Sequence, residues 1–228
     1  MNRVMVISPH PDDESIGCGG TICRHVAAGD PVYIELLTSG EKGGHGLSEQ
    51  ETALQREEEA KAAAEILGIT QVEFYRQQDG SLSENRRVAN LLARRIQTCR
   101  PHLIYVPHPQ EQHPDHQPIA KLLRRALRQA QIPEPPRVLG YEIWTPLQRL
   151  DEIVDITPYL ETKLQAIAAY ATQCRVMDFV SAARGLARYR GEMHSWPGGE
   201  YAEVFADLTS KITSAAKTHE RIVREQAR

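Results

Sequence analysis

The chain has 228 residues, 41% hydrophobic and 25% charged, so it can bury a core unaided and has the balance of an ordinary soluble globular protein. Its formal net charge of −3 argues against a nucleic-acid partner, because no excess of Lys or Arg is available to neutralise phosphates. Local basic patches remain possible, for instance around Arg184, Arg188 and Arg190. No apolar run approaches the roughly 18 residues that a membrane span needs, and the stretch after Met1-Asn2-Arg3 is too short for a signal peptide. Cys18, Cys23, Cys99 and Cys174 form no CxxC pair and read as small buried hydrophobes of a reducing compartment. A cytoplasmic protein without a membrane span is expected.

In chain order, Val4 to Ser8 predicts a buried parallel strand that stops at Pro9-His10-Pro11. A helix follows over about 15–28 and ends at Gly29-Asp30, and Val32 to Thr38 predicts a second strand, which makes a βαβ unit. A glycine-rich loop, Gly40 to Gly46, then lies near a substrate site. Ser48 with Glu51 three residues on is a capping box, opening a helix that runs to Gly68. Val72 to Tyr75 is a third strand and Asp79-Gly80 a turn. Ser83 caps the next helix, which ends before Pro101. Leu103 to Val106 is a fourth strand, followed by a Pro- and His-rich loop and a helix containing Ile119, Leu122, Leu123, Ala126 and Leu127. Val138 to Trp144 and Ile153 to Ile156 read as later strands. Beyond Pro158 the pattern is helical: 160–170, 177–189 and about 205–224. The alternation implies one Rossmann-like three-layer α/β/α domain over residues 1–228, with a mostly parallel sheet and a helical C-terminal region.

Open parallel sheets place their sites beyond the carboxyl ends of the strands. Two such ends carry unusual clusters: His10-Pro11-Asp12-Asp13-Glu14 after the first strand and His113-Pro114-Asp115-His116 after the fourth. Imidazole with carboxylate suits zinc or ferrous iron better than magnesium or calcium. Two histidines and one carboxylate leave room for the water of a catalytic site. Neighbouring Asp12 and Asp13 cannot readily both reach one ion, so one binds metal while the other faces the water as a base. Asp115 is placed to bond a histidine ring nitrogen and fix its tautomer. Glu14 sits at a helix start, where a carboxylate interacts well with the dipole, so a structural role stands beside a catalytic one. Gly17, Gly19 and Gly20 read as close helix-to-sheet packing, because no acidic residue ends the second strand as a dinucleotide site requires. His45, His108 and His194 are further histidines within reach of such a site, whereas His25, His102 and His219 read as incidental.

Both clusters together resemble the PIG-L/LmbE-like family of N-acetylglucosaminyl de-N-acetylases. The resemblance extends to the helix from Arg56 to Gly68, to Asp79, to Lys163–Gln173, to Arg190-Gly191 and to Tyr201-Ala202-Glu203-Val204-Phe205. It implies that His10, Asp13 and His116 hold a zinc ion, that Asp12 is the general base, and that His113 stabilises charge or acts as acid. Asp115 is then a supporting residue, and Arg56 and Asp79 contact substrate. The implied reaction is removal of an acetyl group from a glucosamine-type sugar or glycoconjugate by metal-activated water. Ferrous or another divalent ion, an amidase acting on a sugar–thiol conjugate, and a non-catalytic nucleotide- or carbohydrate-binding module are the alternatives. The Met193–Glu200 segment reads as a lid or an interface, and the C-terminal helices leave homo-oligomerisation open.

Overall fold

The computed structural model describes residues 1–194 and 199–213. Among the described residues, seven strands form one sheet, in the spatial order 71–77, 32–38, 4–8, 103–107, 137–141, 202–207 and 152–155. The parallel part comprises β1 (Val4–Ser8), β2 (Val32–Thr38), β3 (Gln71–Gln77), β4 (Leu103–Pro107) and β5 (Arg137–Tyr141). Every residue of β1 is buried, as befits a central strand covered on both faces. Val4 pairs with Val32 of β2 on one side and with Leu103 of β4 on the other.

Side chains alternate across the sheet and feed two cores. Val4 and Val6 pack under α1 (Asp13–Ala27), α2 (Glu49–Leu67), α5 (Leu160–Ala169) and α7 (Phe179–His194). Met5 and Ile7 pack on the other face, under α3 (Arg86–Cys99) and α4 (Ile119–Ala130). Each fully buried Ile or Met contributes about 1.5–3 kcal/mol relative to exposure, which makes these alternating positions the main hold on the sheet.

Several local signals have the expected physical form. Ser48 and Glu51 close a reciprocal capping box, and Gly68 ends α2 in the left-handed conformation, φ 72°. The cap of α3 is Asn85 rather than Ser83, because the Asn85 side chain accepts the N–H of Arg87. A Cβ on Gly17 would lie 2.3 Å from the Tyr141 ring, and one on Gly20 would lie 2.7 Å from Ile156. Both glycines therefore serve close packing.

The C-terminal region departs from the expected run of helices. After α5, the short α6 (Ala171–Cys174) and α7, residues 202–207 form strand β7 (Ala202–Asp207). It pairs antiparallel with β5 and with β6 (Glu152–Asp155). Phe205, expected to begin a helix, is a fully buried strand residue, and helix appears only over 209–213. The remainder of that expected helix, and 195–198 of the Met193–Glu200 segment, lie outside the described residues. Glu203 of β7 explains why the strand is hard to see: it is a buried charge. Its carboxylate accepts the N–H groups of Gly20 and Thr21 at 2.9 and 2.7 Å, and the Lys163 ammonium donates to it at 2.6 Å. Cys18, with φ −147°, interrupts α1 just before this point. Glu203 thus caps the second half of α1, and Lys163 also bonds Ile16 O at 2.8 Å to hold the first half. No helix among the described residues is long and apolar enough to cross a membrane. Cys18, Cys23, Cys99 and Cys174 are all free thiols.

Candidate metal centre

In this sheet β2 and β3 lie to one side of β1, and β4 and β5 to the other, so the strand order reverses between β1 and β4. The loops after β1 and β4 diverge there and open a crevice at their carboxyl ends. Both His-Pro-Asp clusters stand on these two loops. The ring centroid of His113 lies 4.8 Å from that of His10 and 4.8 Å from that of His116.

Asp13 is the meeting point. Its Oδ2 lies 3.2 Å from His10 Nδ1 and 3.2 Å from His116 Nε2, and it also accepts the backbone N–H of His10 at 2.9 Å. Burial opposes ionisation of Asp13, but the charge of the adjacent His116 ring and the hydrogen bond of His10 hold its carboxyl well below the usual range. Burial also opposes charging of His10. Hydrogen bonds to Asp115, Asp13 and Asp79 outweigh it and raise the imidazole well above its usual value. On the far side of the His10 ring, Nε2 faces Asp79 Oδ1 at 3.1 Å and Asp115 Oδ2 at 3.2 Å. Asp115 is itself fixed by the N–H groups of Gly80 and Leu82, at 2.7 and 2.9 Å. A proton on Nε2 serves those carboxylates, and then Nδ1 and Asp13 Oδ2, both acceptors, confront each other. Only a second proton or a cation between them makes that arrangement favourable. His116 is fully buried, yet neither ring nitrogen makes a hydrogen bond; its Nε2 is near Asp13 without the alignment of one. Two groups among the described residues could hold a metal ion, each with its ligand atoms within 4.8 Å of one another: His10 with His113 and His116, and His10 with Asp79 and Asp115.

Asp12 sits at the start of α1 with φ 123°, a conformation that costs a non-glycine residue about 1–3 kcal/mol. Arg56 holds it there. The buried guanidinium donates to Asp12 Oδ2 at 3.1 Å, to Pro11 O at 2.5 Å and to Gly40 O at 3.0 Å. Burial pushes the Asp12 carboxyl up to about 8, against the pull of Arg56 and with the push of Asp13. Arg56 and Asp79 were both expected at the substrate. The structure sets the first against Asp12 and the glycine loop, and the second against His10 and the Lys42 N–H. Burial raises Asp79 but His10 prevails, leaving it at about 2. The Gly40–Gly46 loop packs on α2, where a Cβ on Gly44 would lie 2.0 Å from Thr52 Oγ1.

His113 is half-buried, and its Nδ1 accepts the N–H of Asp115 at 3.2 Å, which places its proton on Nε2. Burial and the charges of His10 and His116 lower its pKa, so the ring is a neutral donor. Trp144 lies nearly parallel to it, 24° between planes and 6.5 Å between centroids. Trp144 is 43% exposed and touches Phe179 edge-on at 5.9 Å. Behind these two rings a cavity of about 160 Å³ runs between Ile16, Gly17, Met177 and Leu186.

Other charged residues take part without any local signal in the sequence. Glu14 accepts the Tyr170 hydroxyl at 2.5 Å and the Ser15 hydroxyl at 2.7 Å, contacts that tie the start of α1 to Tyr170. Glu142 forms a buried two-point pair with Arg190, at 3.0 and 2.7 Å. Glu111 is buried beside His116. Of the remaining histidines, His108 donates to Thr145 O at 2.7 Å, His45 is exposed, and His219 lies outside the described residues.

Fold and site define an α/β protein with a candidate metal centre at the switch point of its sheet. The chain belongs to the PIG-L family, whose model, described as GlcNAc-PI de-N-acetylase, matches residues 5–127. The diacetylchitobiose deacetylase of Thermococcus kodakarensis is 32% identical over 76% of this chain and 70% of its own length. The N,N'-diacetylchitobiose deacetylase of Pyrococcus horikoshii superimposes with a TM-score of 0.81 at 27% identity, covering 91% of this chain and 84% of that one. The 4-carboxy-2-hydroxymuconate hydratase of Pseudomonas putida superimposes with a TM-score of 0.80 at 26% identity, covering 91% and 96%. Family membership makes the chain an enzyme of the deacetylase class, and the fold is shared with a hydratase.

Proposed function

We propose that this chain is a zinc-dependent hydrolase that removes the N-acetyl group from an N-acetylglucosamine-type sugar or small glycoconjugate, working as a single unit in the cytoplasm. The observation that carries the metal reading is the convergence of His10 Nδ1 and His116 Nε2 on Asp13 Oδ2, each at 3.2 Å. Those three residues would hold the ion, a two-nitrogen, one-oxygen set that suits zinc. Bound there, zinc supplies Lewis-acid activation of water and of the amide carbonyl.

The chain's own residues supply the rest. Asp12 takes a proton from the attacking water, for which its raised pKa and its strained, Arg56-braced position suit it. His113 donates its Nε2 proton in a hydrogen bond to the oxyanion that develops on the carbonyl, a kind of contact worth about 3–4 kcal/mol. The amide C–N bond breaks, and the proton gained by Asp12 balances the departing amine. Asp115 and Asp79 orient His10 from behind, and Arg56 positions Asp12. The free cysteines fit the reducing compartment proposed.

Likeness to a hydratase favours one second reading, water addition to an unsaturated acid at the same site. Acetate release separates the two. Chelated and zinc-reloaded protein is incubated with N-acetylglucosamine, its malate and inositol glycosides, and diacetylchitobiose. Acetate release that follows zinc supports deacetylation and ranks the aglycones. No acetate from any of them, with zinc bound, contradicts it.

A further inference from the structure

His10 is backed by two carboxylates, and a metal ligand at His116 would call for such a partner as well. Glu111 stands where that partner would be. It is 1% exposed, and three consecutive backbone N–H groups point at its carboxylate. Oε1 accepts from Ile143 at 2.7 Å and Thr145 at 3.4 Å, and Oε2 accepts from Trp144 at 3.2 Å. The same Oε2 faces His116 Nδ1 at 3.9 Å, a buried nitrogen without a hydrogen-bond partner. The other ring beside the carboxylate, His108, lies 3.5 Å from Oε1 and is already committed. Its Nδ1 accepts the N–H of Gln110 and its Nε2 donates to Thr145 O.

We propose that Glu111 is the positioning residue for His116 and that, through one oxygen, it ties this ligand to the Trp144 loop. A neutral imidazole carries its proton on one nitrogen only. In a buried site of low dielectric, a carboxylate on the Nδ1 side favours the tautomer with the proton there and leaves the Nε2 lone pair for a metal. Oε2 also holds the Trp144 backbone, so the aromatic ring over His113 and the metal ligand share an anchor. The inference rests on His116 being a metal ligand, as proposed above.

The test uses the full chain with Trp196→Phe, which leaves Trp144 as the sole tryptophan of the two present. Zinc affinity is measured by competition with a chelator, tryptophan emission is followed in the same titration, and ¹⁵N-histidine NMR reads the tautomers. Glu111→Gln is expected to weaken zinc binding about 10–100-fold, the usual cost of losing a carboxylate behind a histidine ligand. Trp144 emission should respond to zinc in the parent and lose that response in Glu111→Gln. NMR of the zinc-loaded parent should show His116 protonated on Nδ1. Zinc affinity within twofold of the parent in folded Glu111→Gln overturns the inference. If that variant does not fold, the parent spectrum decides alone, and a bare Nδ1 overturns the inference. Full zinc affinity in His116→Ala would instead overturn the metal-ligand reading beneath it.

Discussion

Arg56→Met is the most informative single change outside the proposed metal ligands. It removes the positive charge 3.1 Å from Asp12 Oδ2 while keeping much of the side-chain volume. Burial and the neighbouring Asp13 remain, so the Asp12 carboxyl moves further up from about 8. An opposite charge at such a distance is worth about 1–3 pKa units, each equal to about 1.4 kcal/mol. A base acts only when ionised, so the acid limb of kcat/KM should move upward by about 1–3 pH units. Below that limb the variant should be slower by about 10–1000-fold, and the deficit should shrink as pH rises. Zinc bound beside Asp12 would lower the carboxyl in both proteins and leave the displacement between them. Breaking a buried pair costs about 3–5 kcal/mol, so thermal unfolding is followed in parallel. Arg56→Lys keeps the charge without the fork and should give a smaller shift. Acetate release against pH is the assay. An unmoved acid limb in folded Arg56→Met would refute the assignment of Arg56 to Asp12.

Three further outcomes follow from the same geometry. Gly17→Ala places a methyl group 2.3 Å from the Tyr141 ring and should lower stability by about 1–3 kcal/mol in urea unfolding. Lys163→Met should cost about 3–5 kcal/mol in the same measurement, because it leaves Glu203 buried without its cation, and added Glu203→Gln should recover part of the loss. Trp144→Ala, at a half-open rim beside His113, should leave the melting temperature nearly unchanged while raising KM for the preferred sugar more than it lowers kcat.

The two central strands of the sheet, β1 and β4, were legible because they are continuous apolar runs between clear breakers. Val4 to Ser8 and Leu103 to Val106 could be placed almost residue by residue. The His-Pro-Asp clusters were legible because each is contiguous in the chain. What escaped was buried charge. Glu203 disguised β7, Glu142 and Glu111 draw in the N–H groups that follow β5, and the expected strand to Trp144 stops at Tyr141. Sequence patterns count a charged residue as exposed unless its partner is visible, and these partners lie far along the chain: Lys163 for Glu203, Arg190 for Glu142, Arg56 for Asp12. Arg56 was singled out, yet its contact with Asp12 needed the fold.

Hydrolysis at a metal held beside Asp12, with Asp12 as the base, makes that carboxylate dispensable for holding the metal and indispensable for turnover. Measuring zinc content and acetate release together in Asp12→Asn tests it most directly. Zinc should be retained at the parent level and acetate release should fall about 100- to 10,000-fold, the usual contribution of a general base. Acetate release at the parent rate with zinc still bound would contradict it.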